Sequence, residues 1–145
     1  MIKECVFLTQ TDTTVGFVSQ NSERLTYMKQ RPPHKYYIKA LNSLTTLKKK
    51  SRIPPCHRQQ VRRAKRTTFI LPNGHSYRVV YDPHHLLLLG RLTWAYTTSA
   101  NLSGEPYKES FATRVADIVI YPLKDSDKKP SKILKLGKHT IRRMR

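Results

Sequence analysis

Cysteine, glycine and acidic residues are all scarce in this 145-residue chain, and two of these scarcities exclude classes of site at once. The two cysteines, Cys5 and Cys56, form no CxxC motif, and Cys56 next to His57 does not by itself make a zinc site. We therefore expect no metal centre and no disulfide. The five glycines form neither GxxxxGK[ST] nor GxGxxG. A nucleotide would have to be held by side chains rather than by a glycine-rich loop.

Long apolar runs are also missing. Hydrophobic residues make up 38% of the chain, and no window is long and apolar enough to cross a bilayer. The first ten residues, MIKECVFLTQ, contain too short an apolar run for a secretory signal peptide. We therefore expect a cytoplasmic protein without membrane association. The length favours a single domain over residues 1–145 with a modest core.

The charge of the chain is strongly unbalanced. There are 28 Lys and Arg against 9 Asp and Glu, which gives a formal net charge of +19. The segment from Arg24 to Tyr81 holds fifteen of the cations and no acidic residue. Such a segment repels itself unless an anion neutralises it. It predicts an anionic partner, either a nucleic acid or nucleotide phosphates. A solvated basic surface is the simpler alternative.

The hydrophobic pattern predicts interleaved strands and helices. TTFIL (67–71) and YRVVY (77–81) flank PNGHS, whose Asn-Gly pair is typical of a hairpin turn. Asp82 is placed to begin one helix, and Asn21 or Ser22 to begin another. Because hairpins and helices alternate, we expect a twisted sheet of mixed parallel and antiparallel strands with flanking helices. The other strands are predicted at 4–8, 36–41, 92–98, 117–123, 131–136 and 139–144, the helices at 21–30, 43–52, 57–66, 83–91 and 107–116, and a loop at 125–130.

Two polar segments follow predicted strands. QTDTTVGF (10–17) comes after ECVFL, and TTSANLSGEP (97–106) comes after LTWAY. Ligands of open α/β sheets commonly lie at strand ends, so these hydroxyls and amides are candidates for binding a polar or zwitterionic group. The cations of MKQRPPHK (28–35) would suit a polyphosphate. Gly16 indicates a bulge or a close approach by another backbone. Turn formation and a solvated surface are the alternatives.

These segments resemble a known family. QTDTTVGF, KQRPPHK, YRVVYDPHH, TTSANLSGEP, and PSKI followed by IRR occur in the order found in YrdC-like threonylcarbamoyl-AMP synthases. The most specific match is TTSANLSGEP, which is close to the family pattern (S/T)TSANxSGxP. The resemblance spans nearly the whole chain. It implies a single YrdC-like α/β (α+β) domain over residues 1–145, with a basic concave face.

The resemblance also implies a reaction. Family members make L-threonylcarbamoyladenylate from L-threonine, bicarbonate or CO2, and ATP, releasing pyrophosphate, and the product serves the t6A modification of tRNA position 37. ATP would be a substrate accompanied by Mg²⁺, with no tightly bound cofactor and no metal site of the protein's own. Other proteins of the t6A pathway would be partners. One alternative is a non-catalytic protein that binds double-stranded RNA or tRNA on the same fold. Another is a basic ribosome-associated protein with no use for a pocket.

Site residues follow from the matching motif positions. The resemblance implies no catalytic nucleophile, and it places threonine at Thr11, Arg78, Thr97 and Ser131. It places the nucleotide and its phosphates at Lys29, Arg31, Lys35, Ser99, Asn101 and Arg143. In the basic segment, the residues expected to contact RNA are Lys48, Lys49, Lys50, Arg52, Arg62, Arg63, Lys65 and Arg66.

Three departures from the family pattern keep the non-catalytic alternative open. The family has a helix before its first strand, whereas here a strand is predicted from residue 4. Gln10 stands where the family has proline. AKRTT (64–68) replaces the family's PGPxT, so that only the threonine persists.

Overall fold

The computed structural model of the chain describes residues 2–123 and 129–145. Within these residues one nine-stranded sheet runs in the order β7-β1-β2-β6-β3-β5-β4-β8-β9. The predicted loop at 125–130 lies largely outside the described residues. The strands are β1 (Phe7–Gln10), β2 (Val15–Ser19), β3 (Ile38–Leu41), β4 (Thr67–Ile70), β5 (Ser76–Val79), β6 (Trp94–Ser99), β7 (Ile118–Val119), β8 (Lys132–Leu136) and β9 (Ile141–Arg143). The helices are α1 (Ser22–Lys29), α2 (Leu44–Lys50), α3 (Arg58–Arg63), α4 (Pro83–Leu92) and α5 (Glu109–Val115), with 3₁₀ turns at Ile2–Glu4 and Pro55–His57.

The predicted mixed sheet with flanking helices is confirmed. Strands β4 and β5 pair antiparallel across the Asn-Gly turn, with Phe69 opposite Tyr77. Strands β8 and β9 form the second predicted hairpin, with Leu134 opposite Arg143. Three pairs are parallel: β1 with β7, β3 with β5, and β4 with β8. The part of the chain that the structure describes contains no helix long and apolar enough to span a membrane.

The helix starts follow the predicted capping residues. Asn21 accepts a hydrogen bond from the Arg24 amide at 3.1 Å, and the Asp82 carboxylate accepts one from the His85 amide at 3.3 Å. Each cap satisfies a backbone donor that the first helical turn leaves without an internal partner.

The first strand begins later than predicted. Residues Ile2–Glu4 form a 3₁₀ turn, and β1 extends instead through two polar residues, Thr9 and Gln10, which pair with β2. The predicted strand at 117–123 is likewise shortened to Ile118–Val119. The lengths of β1 and β7 therefore follow from pairing with the neighbouring strand. The apolar runs in the sequence do not give these lengths.

Helices cover both faces of the sheet. Successive residues of a strand point to opposite faces, and Ala40 and Leu41 of β3 show which helix lies on each. Ala40 packs in a cluster with Leu89 of α4. Leu41 packs in a different cluster with Leu47 of α2. Helices α2 and α4 therefore lie on opposite faces.

Gly16 lies in β2 opposite Ser99 of the antiparallel neighbour β6. A Cβ at this position would lie 2.8 Å from the Thr98 carbonyl oxygen and 3.1 Å from a Thr11 methyl carbon. The expected close approach of another backbone is confirmed. This contact brings the turn after β1 against the end of β6.

We expect Gly16→Ala to destabilise the fold by about 1–3 kcal/mol, because a backbone oxygen would have to move. Gly90 is the natural control, since a Cβ there would have no neighbour within 4 Å. In helix α4, Gly90→Ala should stabilise the fold by about 0.5–1 kcal/mol. Urea unfolding of the two variants measures both effects, and equal midpoints would contradict the steric argument.

Candidate functional site

A cleft of about 380 Å³ opens where several strand ends meet. This volume is within the range of small-molecule sites. The turn between β1 and β2, the end of β6, the starts of β3 and β5, and the segment before β8 all contribute to its wall. The described residues that line it include no Asp or Glu. Six predicted site residues line the cleft: Thr11, Arg31, Arg78, Thr97, Ser99 and Ser131.

The turn between β1 and β2 presents hydroxyl groups to the cleft. The Thr11 amide donates to the Thr14 carbonyl at 3.2 Å and closes the turn. The Thr11 hydroxyl accepts from the Thr13 amide at 3.2 Å and donates to the Thr14 carbonyl. These bonds fix the rotamer of Thr11. The hydroxyl groups are therefore positioned before any ligand arrives.

The loop after β6 is held from behind by a buried lysine. Lys29 is 2% exposed, and its ammonium donates to the carbonyl oxygens of Ser99 and Asn101, each at 2.7 Å. The Asn101 side-chain oxygen accepts from Lys29 at 3.2 Å and also from the Ser99 hydroxyl. Lys29 and Asn101 therefore shape the loop, and Ser99 is the member that lines the cleft.

The charge of Lys29 is sensitive to this environment. Burial, and secondarily the positive charge of Arg31, lowers the pKa of Lys29 to about 8. The ammonium form remains the majority form at neutral pH. A buried ammonium that donates to three oxygen atoms of one loop holds that loop in a single conformation, because each bond is made by a charged donor.

Arg31 is fixed at the rim of the cleft. Its guanidinium carbon lies 4.6 Å from the centroid of the Tyr37 ring, and Nη2 donates to the Tyr36 carbonyl at 2.8 Å. The Tyr37 hydroxyl is within 2.9 Å of the Thr26 hydroxyl on α1. The Arg31 guanidinium is therefore held by the Tyr37 ring, and the contact with Thr26 in turn fixes that ring.

Ser131 connects two arginines on the opposite wall. Its hydroxyl oxygen accepts from Arg78 Nη1 at 3.4 Å and from Arg145 Nη2 at 3.2 Å. With both contacts accepted, it can donate its own proton to the Thr68 hydroxyl, 2.8 Å away. Arg145 Nε also donates to the Ser131 carbonyl at 2.9 Å. Three arginines, at positions 31, 78 and 145, thus face one cleft.

Arg78 is backed by a buried carboxylate. Asp12 Oδ1 lies 3.1 Å from Arg78 Nη2 and 3.6 Å from Nδ1 of His85, and all three side chains are at most 5% exposed. Burial by itself would raise the pKa of Asp12, but the contacts with His85 and Arg78 outweigh it. The pKa of Asp12 therefore lies below its ordinary value. The ionised carboxylate orients Arg78 towards Ser131.

Some predicted site residues lie outside the cleft lining. Lys35 is exposed and does not line it. Arg143 pairs with Leu134 at the exposed edge strand β9, whereas Arg145 reaches the cleft. Sequence reasoning missed Arg145, Tyr36 and the pair of Asp12 with His85. The TDTT motif did contain Asp12, but nothing in the sequence indicated its burial.

A second concave surface lies between α2 and α3, which we call the basic groove. It measures about 800 Å³, and the described residues that line it include no acid. The last turn of α2 supplies three lysines, where cations also complement the helix dipole. Of the residues predicted to contact RNA, Arg63, Lys65 and Arg66 lie outside its lining. The groove cations are Lys48, Lys49, Lys50, Arg52, Arg58 and Arg62.

The cleft is lined by the guanidinium and hydroxyl groups that bind anions. Among residues 2–123 and 129–145, no three His, Cys, Asp or Glu side chains come together as metal ligands. Guanidinium groups pair with carboxylates and phosphates through parallel hydrogen bonds. Hydroxyl groups at the centre would orient a polar substrate. The arrangement fits a small zwitterion beside a polyphosphate.

Comparison with known proteins gives no match to any protein-family model. The chain is 35% identical over 96 residues to the "Uncharacterized protein MG259 homolog" of Mycoplasma pneumoniae. That alignment covers 63% of this chain and 19% of the other protein. The chain therefore spans about a fifth of the length of this curated relative.

Solved structures give a stronger likeness. A variant of P. abyssi Sua5 superposes with a TM-score of 0.86 at 17% identity, covering 99% of this chain and 53% of that one. The complex of P. abyssi Sua5 with L-threonine gives 0.81 at 18% identity, covering 99% and 51%. E. coli YciO gives 0.78 at 20% identity, covering 99% and 83%. The chain therefore has the predicted YrdC-like fold, and it spans about half the length of the Sua5 chains.

Proposed function

We propose that this chain is an ATP-dependent L-threonylcarbamoyladenylate synthase that serves tRNA t6A modification in the cytoplasm. The observation that carries the proposal is the convergence of Thr11, Arg31 and Ser99 on one cationic cleft. The L-threonine complex of Sua5, a protein of the same fold, supports an amino acid as one substrate. Other proteins of the t6A pathway would take up the product.

In this proposal threonine occupies the inner wall of the cleft. Its carboxylate pairs with Arg78, which Asp12 holds in place, and Arg145 adds a second cation beside Ser131. The hydroxyl groups of Thr11 and Thr97 face the polar side of the amino acid. The wall thus supplies a charge for the carboxylate and short donors and acceptors for the remaining polar atoms.

ATP occupies the outer part of the cleft. Arg31 pairs with the triphosphate, and Ser99 contacts the nucleotide next to it. Lys35 would join the triphosphate from its exposed position, and Arg143 would approach the nucleotide from β9. Lys29 and Asn101 contribute by holding the loop that carries Ser99.

The reaction runs in two steps. The threonine ammonium and bicarbonate form a new C–N bond, releasing one water and one proton, and give N-carboxy-threonine. An oxygen of the new carbamate then attacks the α-phosphorus of ATP. The bond from the α-phosphorus to the bridging oxygen breaks, and its electron pair leaves with pyrophosphate.

Catalysis in this scheme needs no covalent enzyme intermediate. Holding the carbamate oxygen in line with the α-phosphorus replaces a bimolecular encounter by a unimolecular step. Arg31, in fixed contact with Tyr37, would stabilise the charge that develops on the leaving pyrophosphate. Mg²⁺ brought by ATP would neutralise the remaining phosphate charge.

Pyrophosphate release by the purified chain tests the proposal directly. We expect release that requires L-threonine, bicarbonate and ATP together. Omitting threonine distinguishes synthesis from plain ATP hydrolysis. Threonine-independent release, or none at all, would overturn the synthase proposal.

The basic groove favours RNA binding as a second function. Six cations line one concave surface, and no described residue of that lining is acidic. We propose that the groove binds the phosphate backbone of tRNA or double-stranded RNA, with Arg63, Lys65 and Arg66 as outer contacts. This function is independent of turnover in the cleft.

Salt dependence measures the groove contacts. Neutralising Lys48, Lys49 and Lys50 to glutamine should reduce the slope of log K against log salt by about 2–3, because each lost phosphate contact contributes about 0.7–0.9. The same change at the exposed Lys132, Lys135 and Lys138 removes equal charge outside the groove. Equal slopes for the two triple variants would remove the groove from the RNA interface.

A further inference from the structure

The basic groove and the cleft are joined by the turn between β4 and β5. On the groove side, Asn73 Nδ2 donates to the hydroxyl of Ser51, a groove residue, at 3.0 Å. On the cleft side, the His75 ring packs edge-on against the ring of Tyr36, with centroids 6.5 Å apart. Tyr36 lines the cleft. One short turn thus touches a wall of each cavity.

The Tyr36–His75 pair presents aromatic surface to solvent at the cleft rim. Tyr36 is 84% exposed, and His75 is exposed beside it. Single exposed aromatics are common, but the backbone of this one is held. Its carbonyl accepts from Arg31 at 2.8 Å, and the next residue, Tyr37, is buried beneath the same guanidinium. Tyr36 therefore extends from an ordered backbone.

The His75 ring is held on its other side as well. It packs against the ring of Tyr77 at 6.4 Å, and the Tyr77 hydroxyl accepts from Asn73 at 3.3 Å. The Asn73 side-chain oxygen in turn accepts from the His75 amide at 2.9 Å. Hydrogen bonds and ring contacts thus connect Asn73, His75 and Tyr77 between the two cavities.

We infer that the groove and the cleft rim together bind RNA that carries unpaired nucleotides, with one base stacked on Tyr36 and His75. The inference rests on the proposed RNA-binding groove and names the class of RNA that this surface prefers. Phosphates of a strand lying in the groove meet its cations. Where the strand crosses the β4–β5 turn, a base meets aromatic surface.

The chemistry distinguishes this partner from a duplex. Double-stranded RNA is recognised by shape and by backbone contacts, and its stacked bases offer no free face to an aromatic side chain. Unpaired bases can be splayed out and stacked on tyrosine or histidine. Cations in the groove and exposed rings at the adjoining turn therefore favour a loop or a single-stranded end next to a helix.

Fluorescence anisotropy with two labelled RNAs tests the inference. One is a hairpin with an unpaired loop, and the other is the same stem closed as a blunt duplex. We expect the hairpin to bind about tenfold more tightly, since stacking of a single base is sufficient for such a preference. Tyr36→Ala should abolish the preference and leave duplex binding unchanged, whereas Tyr36→Phe should retain it.

Tyr27 provides the control variant. It is 86% exposed, lies on α1 and does not line the cleft, so Tyr27→Ala should leave both affinities unchanged. A hairpin preference that survives Tyr36→Ala, or equal binding of the two RNAs by the unaltered chain, would overturn the inference. If neutralising the groove lysines still weakens the binding of both RNAs, the groove proposal stands without the base-stacking inference. Absence of all RNA binding would overturn both proposals, and the pyrophosphate assay would remain independent of them.

Discussion

Pyrophosphate release should fall at least a hundredfold when Arg31 is replaced by alanine. Its guanidinium is the cation at the rim of the cleft, already oriented by the Tyr37 ring and the Tyr36 carbonyl. Removing one preorganised group that stabilises developing charge costs about 10²–10³ in rate. Ser99→Ala removes a neutral contact to the nucleotide and should cost about tenfold. Both losses are measured as threonine-dependent release under saturating ATP.

Two further variants separate chemistry from folding. Arg31→Lys keeps the charge but loses the planar fork, so its activity should fall between that of the alanine variant and the unaltered chain. Arg91→Ala removes an exposed cation from α4 outside the cleft and should leave the rate unchanged. Circular dichroism of each variant checks the fold. Normal turnover in both Arg31→Ala and Ser99→Ala would remove these residues from the nucleotide site.

Much of the fold is readable from local chemistry. The hairpin of β4 and β5 turns at Pro72 and Asn73, where the Gly74 amide donates to the Leu71 carbonyl at 2.8 Å, and Gly74 adopts the positive φ of 85° that glycine takes without steric cost. Asp82 marks the start of α4 because it accepts from the amide three residues on. The boundaries of β1 were not readable, since Thr9 and Gln10 become strand only through pairing with β2.

The convergence of the two hydroxyl-bearing segments was also readable. Both follow strands, and the TTSAN motif predicted a ligand at the end of β6. Gly16 is the residue through which the two segments meet, because only its missing side chain lets β2 approach the Thr98 carbonyl.

The cationic wall was predicted only in part. Arg145 reaches Ser131 through the β8–β9 hairpin, and the choice between Arg145 and Arg143 depends on where β9 ends. Lys29 was expected at the phosphates, yet its ammonium bonds to loop carbonyls. The direction of a flexible lysine depends on acceptors some seventy residues away in the sequence.

Replacing Arg78 by alanine should destabilise the fold by about 3–5 kcal/mol. Arg78 and Asp12 are 4% and 5% exposed in their side chains, so the variant leaves a carboxylate buried beside His85 without its cation. Breaking a buried ion pair from one side costs about this much, because the remaining charge stays desolvated. The exposed pair of Arg24 with Asp117 provides the contrast, with side chains 43% and 30% exposed. Arg24→Ala should cost at most about 1 kcal/mol.

A double variant shows whether the charge itself is responsible. Asp12→Leu with Arg78→Met removes both charges and keeps apolar volume, and such replacements are often neutral in stability. We expect it to recover most of the loss seen for Arg78→Ala in urea unfolding. Threonine-dependent pyrophosphate release should remain absent, because the cation for the substrate carboxylate is gone. Stability and activity would thus be separated at one site.

The pH dependence of unfolding follows from the direction of the Asp12 shift. Because the pKa of Asp12 is lower in the fold than in the unfolded chain, its contribution to stability is complete above the unfolded value of about 3.9. It is lost as the pH falls through the lower folded value. Unfolding free energies of the unaltered chain should therefore decline more steeply in acid than those of the Asp12→Leu, Arg78→Met double variant. Parallel acid profiles for the two proteins would mean that folding does not lower the pKa of Asp12, and the contacts with Arg78 and His85 would then not favour its ionised form.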